Sequence, residues 1–161
     1  MTKFTVEPAN RVAATQLAPA LRHCDKLEIY RASGMNPLDA LLDSILVSDE
    51  DMCWVARLNG LPVAMFGAND ITPEGETPQL VGGIWLLASP AIYTNKLDFW
   101  RKCREHLAIM HTRYEFLTNF VDESNVVTMQ WLPRLGFLPM QRVAEFGPAK
   151  LPFIQYLSKR K

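Results

Sequence analysis

Hydrophobic and polar positions along the chain follow two periods, one typical of helices and one typical of strands. The helical period is clearest after Asn36 and Pro37, a capping residue followed by proline at the first helical position. The apolar residues of this predicted helix share one face: Leu38, Leu41, Leu42, Ile45 and Leu46. Shorter helices are predicted after the capping residue Asn10 and over residues 25–33, which stop at Gly34. Each helix is expected to bury one apolar stripe.

Two further helices are predicted in the second half of the chain. The first covers residues 95–111, with Asn95 as its cap and Asp98 placed to return the capping bond. Its apolar stripe consists of Leu97, Trp100, Cys103, Leu107 and Met110. The second covers residues 122–135 and is closed by Gly136, because glycine readily takes the left-handed conformation that ends a helix.

Strand-like segments separate the helices. Residues 52–58 and 61–67 are apolar runs joined by Asn59-Gly60, which is the strongest short signal for a β-hairpin. Residues 80–88 are apolar almost throughout, which predicts a strand buried on both faces. Further strands are predicted over residues 4–7, 116–121, 138–145 and 152–157.

Composition narrows the classes of function. Lys plus Arg and Asp plus Glu both number 17, so no basic excess indicates general nucleic-acid binding, and no basic amphipathic face indicates a membrane surface. The run Lys159-Arg160-Lys161 is either a solvated tail or a phosphate contact. The 3 cysteines are widely spaced, without a CxxC pair or a histidine at ligand spacing, so we expect no metal site and a reduced cytosol. The first residues lack the apolar stretch of a signal peptide, which predicts no export.

The late part of the chain carries a family resemblance. Asn125 lies near a predicted helix start, and an amphipathic helix follows it and ends in Gly136-Phe137. Placed in the order strand, helices, three strands, helix, strand, helix and two strands, residues 125–137 resemble the late motif of the Gcn5-related N-acetyltransferases, the GNAT family. With 161 residues and 48% apolar content, the chain is expected to form one such domain over residues 1–161.

The resemblance implies an α/β (α+β) fold with a mixed, mostly antiparallel sheet of six or seven strands and helices on both faces. Its two central parallel strands would be residues 80–88 and 116–121, which splay apart at their C-terminal ends. A narrower resemblance is to an acetyltransferase-like family of small tailed phages that includes the internal virion protein of podoviruses related to the T7 group. It is carried by residues 83–87, the helix around Trp100, and residues 117–121 and 125–137.

The same resemblance implies a binding site for acetyl-CoA. In the family, the pantetheine arm lies between the splayed strands, and the pyrophosphate meets backbone N–H groups at the next helix start, which here is residues 90–96. The cofactor-binding residues implied are Leu87, Ala88, Thr94, Asn95, Lys96 and Asn125. Trp85 and Asn119 are implied as substrate-binding residues.

The sequence departs from the family pattern at this site. Residues 90–96 contain none of the glycines that let backbone approach phosphate closely. Leu132 stands where family members often have the tyrosine that protonates the departing thiolate, and residues 80–88 contain no carboxylate to act as a base. Tyr93 and Ser89 are the candidates to substitute as catalytic groups.

Two functions therefore remain as hypotheses. The first is a phage-encoded, acetyl-CoA-dependent N-acyltransferase that modifies a host protein or a small amine in the host bacterial cytoplasm during infection. The second is a non-catalytic protein of the same fold that acts by binding, either as an internal component of the virion among other virion proteins or as a modulator of a host enzyme. The sequence leaves assembly into a homo-oligomer open.

Overall fold

A seven-stranded sheet with helices on both faces forms the centre of the protein. The computed structural model describes residues 3–161. In spatial order the strands are β1 (Phe4–Pro8), β2 (Cys53–Leu58), β3 (Leu61–Asp70), β4 (Val81–Ala88), β5 (Phe116–Asp122), β7 (Leu151–Lys159) and β6 (Leu138–Phe146). β4 and β5 pair in parallel, and the other neighbours pair antiparallel. The predicted mixed, mostly antiparallel sheet is confirmed.

The helices divide between the two faces of this sheet. They are α1 (Arg11–Leu17), α2 (His23–Ser33), α3 (Pro37–Val47), α4 (Lys96–Arg113) and α5 (Val126–Trp131), with 3-10 segments at Ala18–Ala20, Pro90–Asn95 and Leu132–Leu135. On one face, α1 and α3 bury Leu17 and Leu41 against Met65 of β3. On the other face, α4 and the segment after α5 pack around Phe66 and Phe137. Because side chains of a strand alternate, the neighbours Met65 and Phe66 belong to opposite cores.

Helix caps and turns that short sequence motifs predicted are present at the predicted positions. The side chains of Asn10 and Asn36 each accept a hydrogen bond from the backbone N–H three residues later, at 2.8 and 2.9 Å. The Asn59-Gly60 turn has φ values of 50° and 84° and joins β2 to β3. Gly136 ends the segment after α5 with a φ of 93°. These turns and caps need only residues close in sequence.

The start of α4 differs from the prediction. Asn95 does not cap this helix, because the 3-10 segment Pro90–Asn95 runs directly into it, and the Asn95 amide instead donates to Thr94 Oγ1 at 3.1 Å. The buried side of α4 is also rotated, so that Leu97 is 80% exposed while Phe99 and His106 are buried. The predicted stripe placed Leu97 inside and missed both of the latter residues.

Four other burial and boundary predictions are corrected. β4 was expected to be buried on both faces, yet the side chains between its ends are half-buried because the strand borders an opening in the sheet. Leu46 is 82% exposed at the end of α3, and Trp100 is half-buried. The helix predicted from residue 122 begins at Val126, because Asp122 still belongs to β5.

Candidate active site

An opening separates β4 from β5 in the middle of the sheet. The two strands pair over three residues each, 81–83 with 116–118. Beyond Gly83, β4 continues beside β3 to Ala88, whereas β5 continues beside β7 to Asp122. The predicted divergence of this parallel pair toward its C-terminal ends is therefore confirmed.

This opening forms a cleft of about 250 Å³ that passes through the sheet. Ile84 and Leu86 of β4 line it on the side of α4, where they belong to one core. Trp85 and Leu87 line it on the side of α1 and α3, where they belong to the other core. Because the lining includes side chains from both faces, two ligands that approach from opposite faces can meet in it.

The edges of the two diverging strands face this cleft. Within residues 3–161, no strand pairs with residues 84–87 of β4 on the side of β5, or with residues 119–121 of β5 on the side of β4. An unpaired strand edge presents backbone N–H and C=O groups to an extended chain. The cleft therefore suits a narrow ligand that carries amide groups.

The start of α2 is bonded to the end of β4. The Arg22 N–H donates to the Ala88 carbonyl at 2.8 Å, and the Ala88 N–H donates to Asp25 Oδ2 at 3.0 Å. Arg22 also donates through Nε and Nη2 to the two carboxylate oxygens of Asp25, at 2.8 and 2.9 Å. Burial by itself lowers the pKa of Arg22, but the Asp25 carboxylate outweighs it and holds this pKa above its usual range. Arg22 and Asp25 therefore form a buried ion pair with two hydrogen bonds.

Glu28, one turn further along α2, is bonded to the end of β5. Its Oε2 accepts from Asn125 Nδ2 at 2.7 Å and from the Asp122 N–H at 3.2 Å. Burial, together with the nearby carboxylates of Asp25 and Asp122, raises the pKa of Glu28 to about 7, although the Asn125 and Asp122 donors act in the opposite direction. Glu28 lines the cleft, and within residues 3–161 no donor contacts its Oε1.

The Arg22 guanidinium lines the cleft and contacts two aromatic side chains, Tyr93 and Trp131. Its Nη1 donates to Tyr93 Oη at 3.2 Å, and its central carbon lies 5.6 Å from the Trp131 ring centre. The Tyr93 and Trp131 rings meet edge to face, with their centres 6.1 Å apart. Arg22 therefore fills the space between the segment Pro90–Asn95 and α5.

The first backbone N–H groups of the segment Pro90–Asn95 already have hydrogen-bond partners nearby. Pro90 has no N–H, Ala91 N–H donates to Ser89 Oγ at 3.3 Å, and Ile92 N–H donates to the Ser89 carbonyl at 3.3 Å. A phosphate at a helix start is held by N–H groups that lack such partners. This segment does not offer that set of donors.

The structure distributes the predicted site residues between two places. Trp85, Leu87 and Asn119 line the cleft, Ala88 bonds to its rim, and Asn125 holds Glu28 beside it. The other predicted residues lie within the segment Pro90–Asn95 or directly beside it: Ser89, Tyr93, Thr94, Asn95 and Lys96. Among these five residues, Tyr93 alone contacts Arg22. The side chains of Ser89 and Thr94 bond to neighbouring backbone, and Trp85 Nε1 donates to Ser48 Oγ at 2.9 Å. The roles assigned to these residues stay predictions.

Sequence reasoning missed the charged residues of α2. Arg22, Asp25 and Glu28 lie three residues apart, on the helix face that also presents Ile29 and Ala32 to the cleft. Charged residues at the spacing of a buried apolar stripe are the signal that was available. The signal is ambiguous, because Asp25 and Glu28 suit an ordinary solvent-facing helix equally well.

Two further kinds of feature are absent from the part of the chain that the structure describes. No group of three or more His, Cys, Asp or Glu side chains within residues 3–161 is placed to hold a metal ion. Among the helices of this same part, none has the length and apolar character needed to cross a membrane.

Comparisons with known proteins place the fold. No protein-family profile and no curated protein sequence matches the chain. Among solved structures, Ard1 from Thermoplasma volcanium has a TM-score of 0.76 with 11% identity over 98% of both chains. An acetyltransferase of the GNAT family from Streptococcus pneumoniae has a TM-score of 0.63 with 11% identity, over 99% of this chain and all of the other. The aminoglycoside acetyltransferase AAC(6')-Ib, in complex with coenzyme A, has a TM-score of 0.69 with 18% identity over 98% of this chain and 95% of the other.

The protein therefore has the fold of the GNAT acetyltransferases, as the sequence resemblance implied. At these identities the similarity shows the fold alone. The unpaired strand edges and the apolar cleft fit the acylated pantetheine arm of a donor such as acetyl-CoA. The bonded N–H groups after Ser89 do not fit its pyrophosphate.

Proposed function

We propose that the protein transfers an acyl group from acetyl-CoA to a primary amine, with Glu28 as the general base. The observation that carries this proposal is the position of Glu28. It is a carboxyl group with a pKa raised to about 7, and it lines a cleft that passes between the diverging strands of a GNAT fold. A base whose pKa lies near the working pH is the most effective proton acceptor.

Glu28 is held so that one oxygen remains available. Asn125 Nδ2 and the Asp122 N–H both bond to Oε2, which fixes the carboxyl plane. Oε1 then accepts the proton that the amine gives up on acylation, while the apolar side chains of β4 exclude water from the cleft. The residues therefore supply orientation, a proton acceptor and a dry site.

Transfer is expected to be direct rather than through an acylated cysteine. Cys103 lines the cleft, but burial raises its pKa to about 12, so it stays a thiol at neutral pH and is a poor nucleophile. His106 also lines the cleft, and its Nδ1 lies 2.8 Å from the Lys102 carbonyl, which requires the proton on that nitrogen. Bound acetyl-CoA would supply the activated thioester, held along residues 84–87.

The other site residues predicted from the sequence have proposed roles in the same reaction. Tyr93 and, less directly, Ser89 are the candidates to protonate the departing thiolate. Thr94, Asn95 and Lys96 are the candidates to contact the donor beyond its arm, since Lys96 has no ion-pair partner within residues 3–161. Trp85, Leu87 and Asn119 would contact the arm or the amine, because they line the cleft.

Acetyl-CoA binding is the first test of this function. Acetyl-CoA at about one hundred times its dissociation constant should stabilise the protein by about 2.7 kcal/mol, seen as a higher melting temperature. Addition of a polyamine, an aminoglycoside or a peptide with a free N-terminus should then release thiol, and the release should depend on the amine. If saturating acetyl-CoA gives neither a melting shift nor heat on titration, the enzyme proposal is wrong.

A second function is favoured by the contacts of Arg22 at the cleft. The contact of Arg22 with Tyr93 and Trp131 fills a space that a donor would need, and it rests on a buried ion pair. A protein of phage origin that uses this scaffold without catalysis would act by binding a host bacterial protein or other virion proteins, in the host cytoplasm or inside the virion. If acetyl-CoA does not bind, co-purification with one host protein, or recovery from purified virions, would support this function.

A further inference from the structure

A basic groove lies outside the candidate active site. It has a volume of about 610 Å³ and is formed by α4, the 3-10 segment Leu132–Leu135 and the end of β7 with the residues that follow. Its cationic side chains are Arg104, Arg134, Lys159, Arg160 and Lys161. Within residues 3–161, no Asp or Glu side chain lines it. Because the whole chain is neutral, this groove is a local concentration of positive charge.

The arginines of the groove have no carboxylate partners. Arg104, Arg134 and Arg160 are exposed, and within residues 3–161 none has a carboxylate oxygen within 4.0 Å. Two acidic residues next to groove elements have other contacts: Glu105 pairs with Lys102, and the Glu115 carbonyl accepts from the Arg160 N–H. The guanidinium groups are therefore free to bind an anion from solution.

Favourable interaction with the carbonyl groups at a helix C-terminus accounts for only part of the positive charge in the groove. Arg134 lies in the last turn of the segment Leu132–Leu135, where a cation offsets exposed carbonyl groups. Arg104 lies in the middle of α4, and Arg160 follows β7, so neither can have that role. The three side chains converge from separate elements on one concavity.

We propose that this groove binds a small ligand that carries two or more clustered phosphates. Its volume falls in the range of small-molecule sites, and guanidinium groups match pairs of phosphate oxygens. Within residues 3–161, no Phe, Tyr or Trp side chain lines it and His111 is the one aromatic residue of the lining, so it lacks the row of stacking rings of single-strand nucleic-acid sites. Leu107 and Leu135 border both this groove and the central cleft, so the two cavities adjoin. The phosphates could thus belong to the nucleotide end of the acyl donor or to a separate nucleotide or polyphosphate.

Titration of the full chain with inorganic tripolyphosphate at low salt tests the groove directly. Arg134→Glu and Arg104→Glu should each weaken binding by about tenfold or more, because each replaces a cation at the ligand by an anion. Arg11→Glu is the matched control: it reverses an exposed arginine on α1, far from the groove in the fold, and should change the dissociation constant by less than about twofold. If tripolyphosphate does not bind, or if all three variants bind like the parent, the proposal is wrong.

Competition distinguishes the source of the phosphates. If coenzyme A displaces tripolyphosphate and Arg134→Glu weakens both ligands while Lys96→Glu weakens neither, the groove holds the nucleotide end of the donor. If tripolyphosphate binds and coenzyme A does not displace it, the ligand is a separate molecule, and the groove is still a phosphate site. If a DNA duplex binds more tightly than tripolyphosphate, and Arg134→Glu weakens duplex binding while Arg11→Glu does not, the groove binds nucleic acid and the proposal fails. The groove proposal does not depend on catalysis, since tripolyphosphate can bind even where acetyl-CoA does not.

Discussion

Glu28→Gln should lower kcat/KM for amine acetylation by about 10²–10⁴-fold. Glutamine keeps the shape of the side chain, and its carbonyl oxygen can still accept from Asn125 Nδ2 and the Asp122 N–H. It cannot accept a proton. The parent rate should rise with pH and level off above an apparent pKa near 7, and the variant should lose this step. Initial rates between about pH 5.5 and pH 8.5 measure both effects.

The pH dependence of stability separates this role from a structural one. The folded-state pKa of Glu28, about 7, lies above its ordinary value of 4.5, so the native state retains a proton that the unfolded chain releases between these pH values. Stability is therefore lost as pH rises through this window. Glu28→Gln should match the parent below about pH 4.5 and be more stable by up to about 3 kcal/mol at pH 8. Glu145→Gln, on an exposed position of β6, is the control and should change neither rate nor stability. A Glu28→Gln protein less stable than its parent at pH 8 would show that the ionised carboxylate is a structural partner.

Asp25→Ala should reduce the free energy of unfolding by about 3–5 kcal/mol. The change leaves the Arg22 guanidinium buried without a counter-charge, and it removes the acceptor of the Ala88 N–H. Urea unfolding measures the loss. Asp98→Ala is the matched control, because it breaks an ion pair of the same residue types with Arg101 on the exposed side of α4 and should cost at most about 1 kcal/mol. Equal costs for the two variants would mean that the Arg22–Asp25 pair is solvated in solution.

A double variant tests whether the uncompensated charge of Arg22 causes the loss of stability in Asp25→Ala. Arg22→Met with Asp25→Ala removes both charges, so it should be more stable than Asp25→Ala alone. It should also leave the space between Tyr93 and Trp131 without the guanidinium. A double variant no more stable than Asp25→Ala would assign the loss to the Ala88 hydrogen bond rather than to the uncompensated charge.

Much of the fold could be predicted because its signals are local. The Asn36 cap and the Asn59-Gly60 turn each act over a few residues, and both appear in the structure as the sequence indicated. The order of these elements resembles that of the GNAT acetyltransferases, and the resemblance implied the sheet. The buried side of α4 could not be predicted in the same way, because the choice between Leu97 and Phe99 depends on how the preceding 3-10 segment rotates the helix.

The candidate base could not be predicted for a different reason. The family pattern places a carboxylate on the central strand, here β4, whereas the structure brings Glu28 to the cleft from α2. Burial and the nearby carboxylates of Asp25 and Asp122 raise its pKa, and the hydrogen bonds that hold it in place come from Asp122 and Asn125, 94 and 97 positions away. The spacing of Asp25 and Glu28 along α2 indicates a shared helix face, but it does not indicate that this face lies against the end of β5.

The bonds from α2 to the two diverging strands also bear on the order of folding. They join Asp25 to Ala88 and Glu28 to Asp122 and Asn125, across 63, 94 and 97 residues. The entropy of closing such long loops must be offset before these bonds stabilise the chain, whereas the hairpin of β2 and β3 closes across two residues. We therefore expect the sheet to form before α2 docks, so that the cleft is among the last parts of the molecule to assemble. Pulsed hydrogen exchange should then show the β3 amides protected earlier than those of Ala88 and Asp122.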